Sequence, residues 1–159
     1  MAAEPGTDTA AENTPPEQPY PGRRYPGRRI VQVSWASNVL FAITAVPVAA
    51  GVDAFDAAAV AVSLILFVIS LGVWCYAFAI AVSRSARGDD VVVGNLFLMQ
   101  GPVPKAVRLH LFGSLLVCLA ITAGTAAADP FGVLVPMMPL GLIGLWGARH
   151  GTYPARKRA

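Results

Sequence analysis

Two long stretches of this sequence are almost free of charge, and that decides the solvent in which the chain folds. From Ile30 to Val82 the side chains expected to be charged are Asp53 and Asp56 alone; from Leu109 to Ala148 there is Asp129, with His110 near the start. A helix needs ~20 apolar residues to cross the ~30 Å hydrocarbon core of a bilayer. Charged residues make up 13% of the 159 positions, against roughly 25% in soluble domains, and the mean hydropathy is +0.58. A soluble fold of this size would lack the polar groups to cover its surface. The pattern predicts an integral membrane protein and excludes a nucleic-acid-binding or cytosolic one.

Four segments carry the apolar character: residues 33–50 (reaching back to Ile30), 57–82, 109–128 and 130–148. At ~1.5 Å per residue the shorter ones match the hydrocarbon thickness, and the second is long enough to tilt or project. Period-two alternation is absent, so the expected fold class is all-α, a bundle of four transmembrane helices. The third and fourth spans are joined by so short a hairpin that they must be antiparallel neighbours.

Lysine and arginine fall in three places only. Arg23, Arg24, Arg28 and Arg29 precede the first span, Arg84, Arg87, Lys105 and Arg108 lie between the second and third, and Arg149, Arg156, Lys157 and Arg158 follow the fourth. The other connections have none. This is positive-inside patterning, with both termini in the cytoplasm of a bacterium and the chain in its plasma membrane. Trp35 and Trp146, each at the inner end of a span, fit indole rings at the headgroup level. A rival reading of the first span is a secretory signal cut near Ala49-Ala50-Gly51; its apolar run is longer than a signal core requires.

Residues 1–29 read as a disordered cytoplasmic tail, 30–154 as the membrane domain and 155–159 as a basic C-terminal tail. The first segment holds six of the thirteen prolines and almost no aliphatics, so it cannot bury a core. It ends in a tandem repeat, Tyr20-Pro21-Gly22-Arg23-Arg24 and Tyr25-Pro26-Gly27-Arg28-Arg29, whose Pro-Gly steps favour turns. Arg23, Arg24, Arg28 and Arg29 are the expected contacts with anionic lipid headgroups, unless they serve only to set topology. Between Ser83 and Arg108 the apolar patch 91–99 is too short to cross as a helix; an interfacial, strand-like or re-entrant element would each fit.

Chemistry is sparse. The span interiors hold no Asp, Glu, Lys or Arg, which counts against an ion-coupled pump. Cys75 and Cys118 are far apart in sequence and too deep for reactive thiolates, so packing is the expected role of both. His110 and His150 sit beside arginines and have no metal-ligand spacing around them. Asp56 and Asp129 are placed to cap helices, Asp129 being followed by Pro130. Phosphate loops, catalytic triads and dinucleotide fingerprints are missing. No catalytic, cofactor-binding or metal residue is expected, and no cofactor; the chain reads as a non-enzyme.

What remains is packing. In lipid, helices associate through small residues that let backbones approach. The fourth span offers Gly141, Gly144 and Gly147, and the third offers Ala120, Gly124 and Ala128. Gly141, Gly144 and Gly147 form either an internal packing face or a face for another membrane protein. The segment Gly144-Leu145-Trp146-Gly147-Ala148-Arg149-His150-Gly151-Thr152-Tyr153-Pro154, with Val135-Pro136-Met137-Met138 upstream and ten arginines against two lysines, resembles small four-pass membrane proteins of high-GC actinobacteria. That resemblance covers about residues 30–154 and implies four spans, but no activity. The expected function is a non-enzymatic accessory or scaffold subunit of a cell-envelope membrane complex. The alternative is a small transporter or lipid-handling protein.

Overall fold

A computed structural model of the chain describes residues 26–99 and 103–155. Among them are four helical segments long and apolar enough to cross a membrane, Arg28–Ala49, Asp53–Ala86, Lys105–Thr125 and Pro130–His150. The fold is an all-helical, four-span membrane bundle. Its elements are α1 (Arg28–Ala49), α2 (Asp56–Ala86, after a 3₁₀ turn at Asp53–Phe55), α3 (Val93–Leu98), α4 (Lys105–Thr125) and α5 (Met137–His150). Residues 1–25 of the tail expected over residues 1–29, and residues 156–159 of the basic tail expected over 155–159, lie outside the described residues.

The helices bury some of their polar side chains while turning large aliphatic ones outward. On α1 the buried face carries Ser34, Ser37, Asn38 and Thr44 beside Val31 and Phe41, while Val33, Val39, Leu40 and Ile43 point outward. On α2, Ser63 and Ser70 are buried and Leu64, Ile65, Val68 and Ile69 are exposed. Polar hydroxyls inside and aliphatics outside cost free energy in water and are favourable in lipid, where the interior must satisfy its own hydrogen bonds.

Helix α5 forms the axis. Every residue from Gly141 to Ala148 is buried, because α2 packs along it extensively and α1, α3 and α4 touch it from the other sides. Towards the end where α1 and α4 begin, Val31, Met99, Val107, Leu111, Ile143 and Trp146 form one cluster. Towards the opposite end Phe41, Ala45, Leu66, Cys118 and Val135 form another.

Two boundaries differ from the sequence reading, each for a physical reason, and the apolar patch left open between three forms takes one of them. The first helix begins at Arg28, so Pro26–Arg29, read as the end of the free tail, belong to the bundle; the Trp146 indole N–H donates to Pro26 O at 3.0 Å and holds them there. The fourth span is broken rather than continuous: a 3₁₀ segment at Pro130–Leu134 precedes α5. Pro136 has no N–H to donate back towards Gly132 and its ring would clash with that carbonyl, so the chain tightens, with Val135 N on Gly132 O at 3.0 Å. Residues 93–98 form the short helix α3, which folds under the bundle onto α5. Its Leu96 and the following Met99 are buried, and Met99 turns the chain at φ +49°.

Candidate functional site

Gly141, Gly144 and Gly147 on α5 lie under other parts of the same chain. A Cβ at Gly141 would stand 2.7 Å from Trp74 Cδ1, and one at Gly144 would stand 2.5 Å from Phe97 Cε1. At Gly147 it would run into the carbonyl oxygen of Leu96. Trp74 and Phe97 stack on each other with centroids 4.9 Å apart, and Phe78 extends the aromatic group at 5.6 Å from Trp74. The Trp74 indole N–H donates to Met137 O at 3.0 Å, at the start of α5. Sequence reasoning missed this aromatic cover. Trp74 lies in the middle of an apolar span, where an indole N–H needs a partner, and that was the available signal.

Arg84 was also missed as anything more than one cation among four. Its Nε donates to Asp89 Oδ2 at 2.8 Å, and Nη1 donates to Ala148 O at 3.1 Å and Gly151 O at 2.8 Å. The guanidinium lies 4.7 Å from the Tyr153 ring centroid. It thereby caps the carbonyl end of α5, where backbone acceptors lack helical partners and the dipole favours a cation. The Tyr153 hydroxyl donates to Gly147 O at 2.9 Å, and Asp90 N to Pro154 O at 2.8 Å. Residues 151–155 are thus tied to the α2–α3 connection. Burial raises the Tyr153 phenol pKa above its ordinary value, against the opposing pull of Arg84.

The expected lipid-contact arginines divide. Arg23 and Arg24 lie outside the described residues; Arg28 and Arg29 are exposed in the first turn of α1. Lys105 and Arg108 on α4 and Arg149 on α5 are exposed at the same end of the bundle. Gly27 takes φ +79°, and its Cα packs so closely on Trp146 that a Cβ would stand 2.5 Å from the indole. Trp146 is therefore no interfacial anchor: it is 2% exposed, because Pro26-Gly27 and the inner cluster close over it. Trp35 is half-buried. The His150 ring lies 5.5 Å from that of Trp146, tilted by 44°, and His110 is exposed.

At the opposite end Asp129 is buried. Its Oδ1 accepts from Gly132 N at 3.2 Å, the expected cap, and its Oδ2 accepts from Ser63 Oγ at 3.1 Å, which ties it to α2. Asp56 begins α2 without a side-chain capping bond there, so that expectation fails; Asp56 is exposed. Between α1 and α4 a polar seam joins Ser34 Oγ to Ser114 Oγ at 2.6 Å, and Asn38 Nδ2 donates to Ser114 O at 2.6 Å. Cys118 is buried, whereas Cys75 is exposed on α2 and has no packing role inside.

Among the described residues no group of three or more His, Cys, Asp or Glu side chains could hold a metal ion. A shallow groove of about 170 Å³ runs between α2 and the α3 region, lined by residues including Phe78, Val82, Val91 and Leu96. The third span's small residues Ala120, Gly124 and Ala128 are exposed, with open space beyond Gly124. The chain matches no family model, no curated protein and no solved structure.

Proposed function

We propose that the chain is a non-enzymatic accessory or scaffold subunit of a bacterial cell-envelope complex, recognising another membrane protein through its lipid-facing surface. The observation that carries this reading is how the two small-residue faces are used. Gly141, Gly144 and Gly147 are filled by Trp74, Phe97 and Leu96 of the same chain, while Ala120 and Gly124 on α4, and Ala128 in the turn that follows it, stay uncovered. A helix that keeps its small side chains outward lets a second helix approach its backbone. Extraction in mild detergent should recover a stoichiometric membrane partner, and Gly124→Ile should abolish its recovery while leaving the isolated protein's melting unchanged. A partner that survives Gly124→Ile, or no partner at all, overturns this assignment.

The groove between α2 and α3 favours the second reading, a small transporter or lipid-handling protein. A clean homo-oligomer carrying bound lipid or solute after the same extraction would support that reading over the first.

A further inference from the structure

We propose that the charged end of the bundle carries a binding site for the phosphate headgroup of an anionic phospholipid, built jointly by α1, α4 and α5. Arg28 and Arg29 open α1, Lys105 and Arg108 lie in the first turn of α4, and Arg149 lies in the last turn of α5; all are exposed. The apolar cluster that contains Val31, Val107 and Trp146 brings these three helix ends together. These five cations and the buried Trp146 therefore lie at the same end of the bundle. The Trp146 bond to Pro26 O fixes the approach to Arg28, so the first turn of α1 is positioned before any ligand arrives.

The same end shows which cations are already engaged. Arg84 holds Asp89 and the α5 carbonyls, and Arg87 folds back on Ser83. Among the described residues the one ion pair is Arg84 with Asp89, and the first turns of α1 and α4 contain no acidic residue. Cations at a helix start are disfavoured by the backbone dipole unless an anion offsets them.

What lies one turn deeper selects a lipid over a soluble phosphate. Arg29 is followed four residues on by exposed Val33, and Lys105 by Leu109, which is 74% exposed. Residues four apart share a helix face. A charged rim with bare aliphatic surface directly beneath it complements a phosphodiester headgroup joined to acyl chains. This site stands whether or not a protein partner exists.

The test reconstitutes the full chain in vesicles of equimolar phosphatidylcholine and phosphatidylglycerol, extracts it mildly and quantifies the lipid retained. Both leaflets have the same composition, so orientation does not matter. Phosphatidylglycerol should be enriched, and each of Arg29→Gln, Lys105→Gln and Arg149→Gln should weaken the enrichment roughly fivefold, the factor matching ~1 kcal/mol per basic residue. Arg87→Gln should leave it unchanged. A readout that needs no variant is tryptophan fluorescence, which brominated phosphatidylglycerol should quench more than brominated phosphatidylcholine. Equal retention and quenching by the two lipids overturns the proposal, as does an equal loss on Arg87→Gln. Displacement of the lipid by inorganic phosphate, under an ionic strength at which sodium chloride does nothing, would assign the site to a soluble anion instead.

Discussion

Arg84 shows how one side chain can close one end of a membrane bundle. Its guanidinium serves two carbonyls at the end of α5, one carboxylate and one ring. The carbonyls matter more than the carboxylate. The Asp89 side chain is 34% exposed, and ion pairs in such surroundings contribute at most about 1 kcal/mol. Charge-assisted bonds to otherwise unpaired acceptors contribute more, so Arg84→Met should cost about 2 kcal/mol and Asp89→Asn well under half of that, read as thermal melting in detergent. Equal losses would show that the ion pair dominates. Tyr153 adds a pH dependence. Its phenol is raised above the ordinary value of 10.0, chiefly by burial, and the O–H donates to Gly147 O. A raised value means that the folded state holds the proton more tightly, so this contribution is full below pH 10 and is lost as the pH climbs through the folded value. Melting temperature should fall above pH 10 in the wild type and fall less in Tyr153→Phe; parallel curves would remove Tyr153 from the account.

At the scale of elements, the glycines separate by what faces them. Gly72 and Gly113, inside α2 and α4, have open space around a built Cβ, whereas Gly147 meets the Leu96 backbone. Glycine in a helix interior costs roughly 0.5–1 kcal/mol relative to alanine. Gly72→Ala and Gly113→Ala should therefore be neutral or stabilise by up to that amount. Gly147→Ala must displace backbone, and overpacking of this kind costs about 1–3 kcal/mol. The checking measurement is a melting series across the three variants, and a stable Gly147→Ala would show that α3 is not held against α5. The four spans were legible in the sequence because charge and hydropathy alone define them. What α3 does was not legible: an apolar run such as residues 91–99 suits a lipid interface and a protein groove equally, and only the glycine ridge of α5 favours the groove. The broken start of the fourth span had a signal in Pro136 and Pro139, which composition-based span finding overlooks. The site residues were harder still. The sequence shows Trp74, Arg84 and Asp129 as residue types at certain depths, but their roles come from partners distant in the chain, Met137, Ala148 and Ser63.

The whole molecule is strongly polar along its axis. Every described lysine and arginine lies at the end where α1 and α4 begin and where α2 and α5 finish, with Asp89 and Asp90 among them, while Asp53, Asp56 and Asp129 lie at the other. The contacts make this a property of the fold and not of the sequence order alone: Arg84 reaches Ala148, and Gly27 packs on Trp146, so three separate charged segments converge. Retention of Lys and Arg on the cytoplasmic side then predicts which end stays inside the cell. Ala54 and Ala86 are exposed at opposite ends and suit single-cysteine reporters. In a background of Cys75→Ala and Cys118→Ala, an impermeant thiol reagent applied to intact cells should label Ala54→Cys and spare Ala86→Cys. Permeabilised cells should give labelling at both positions, which establishes that Ala86→Cys is folded with a reachable thiol. Labelling of Ala86→Cys alone in intact cells would invert the orientation, and labelling of both would mean that the chain inserts in two directions, a result that its one-sided charge should forbid.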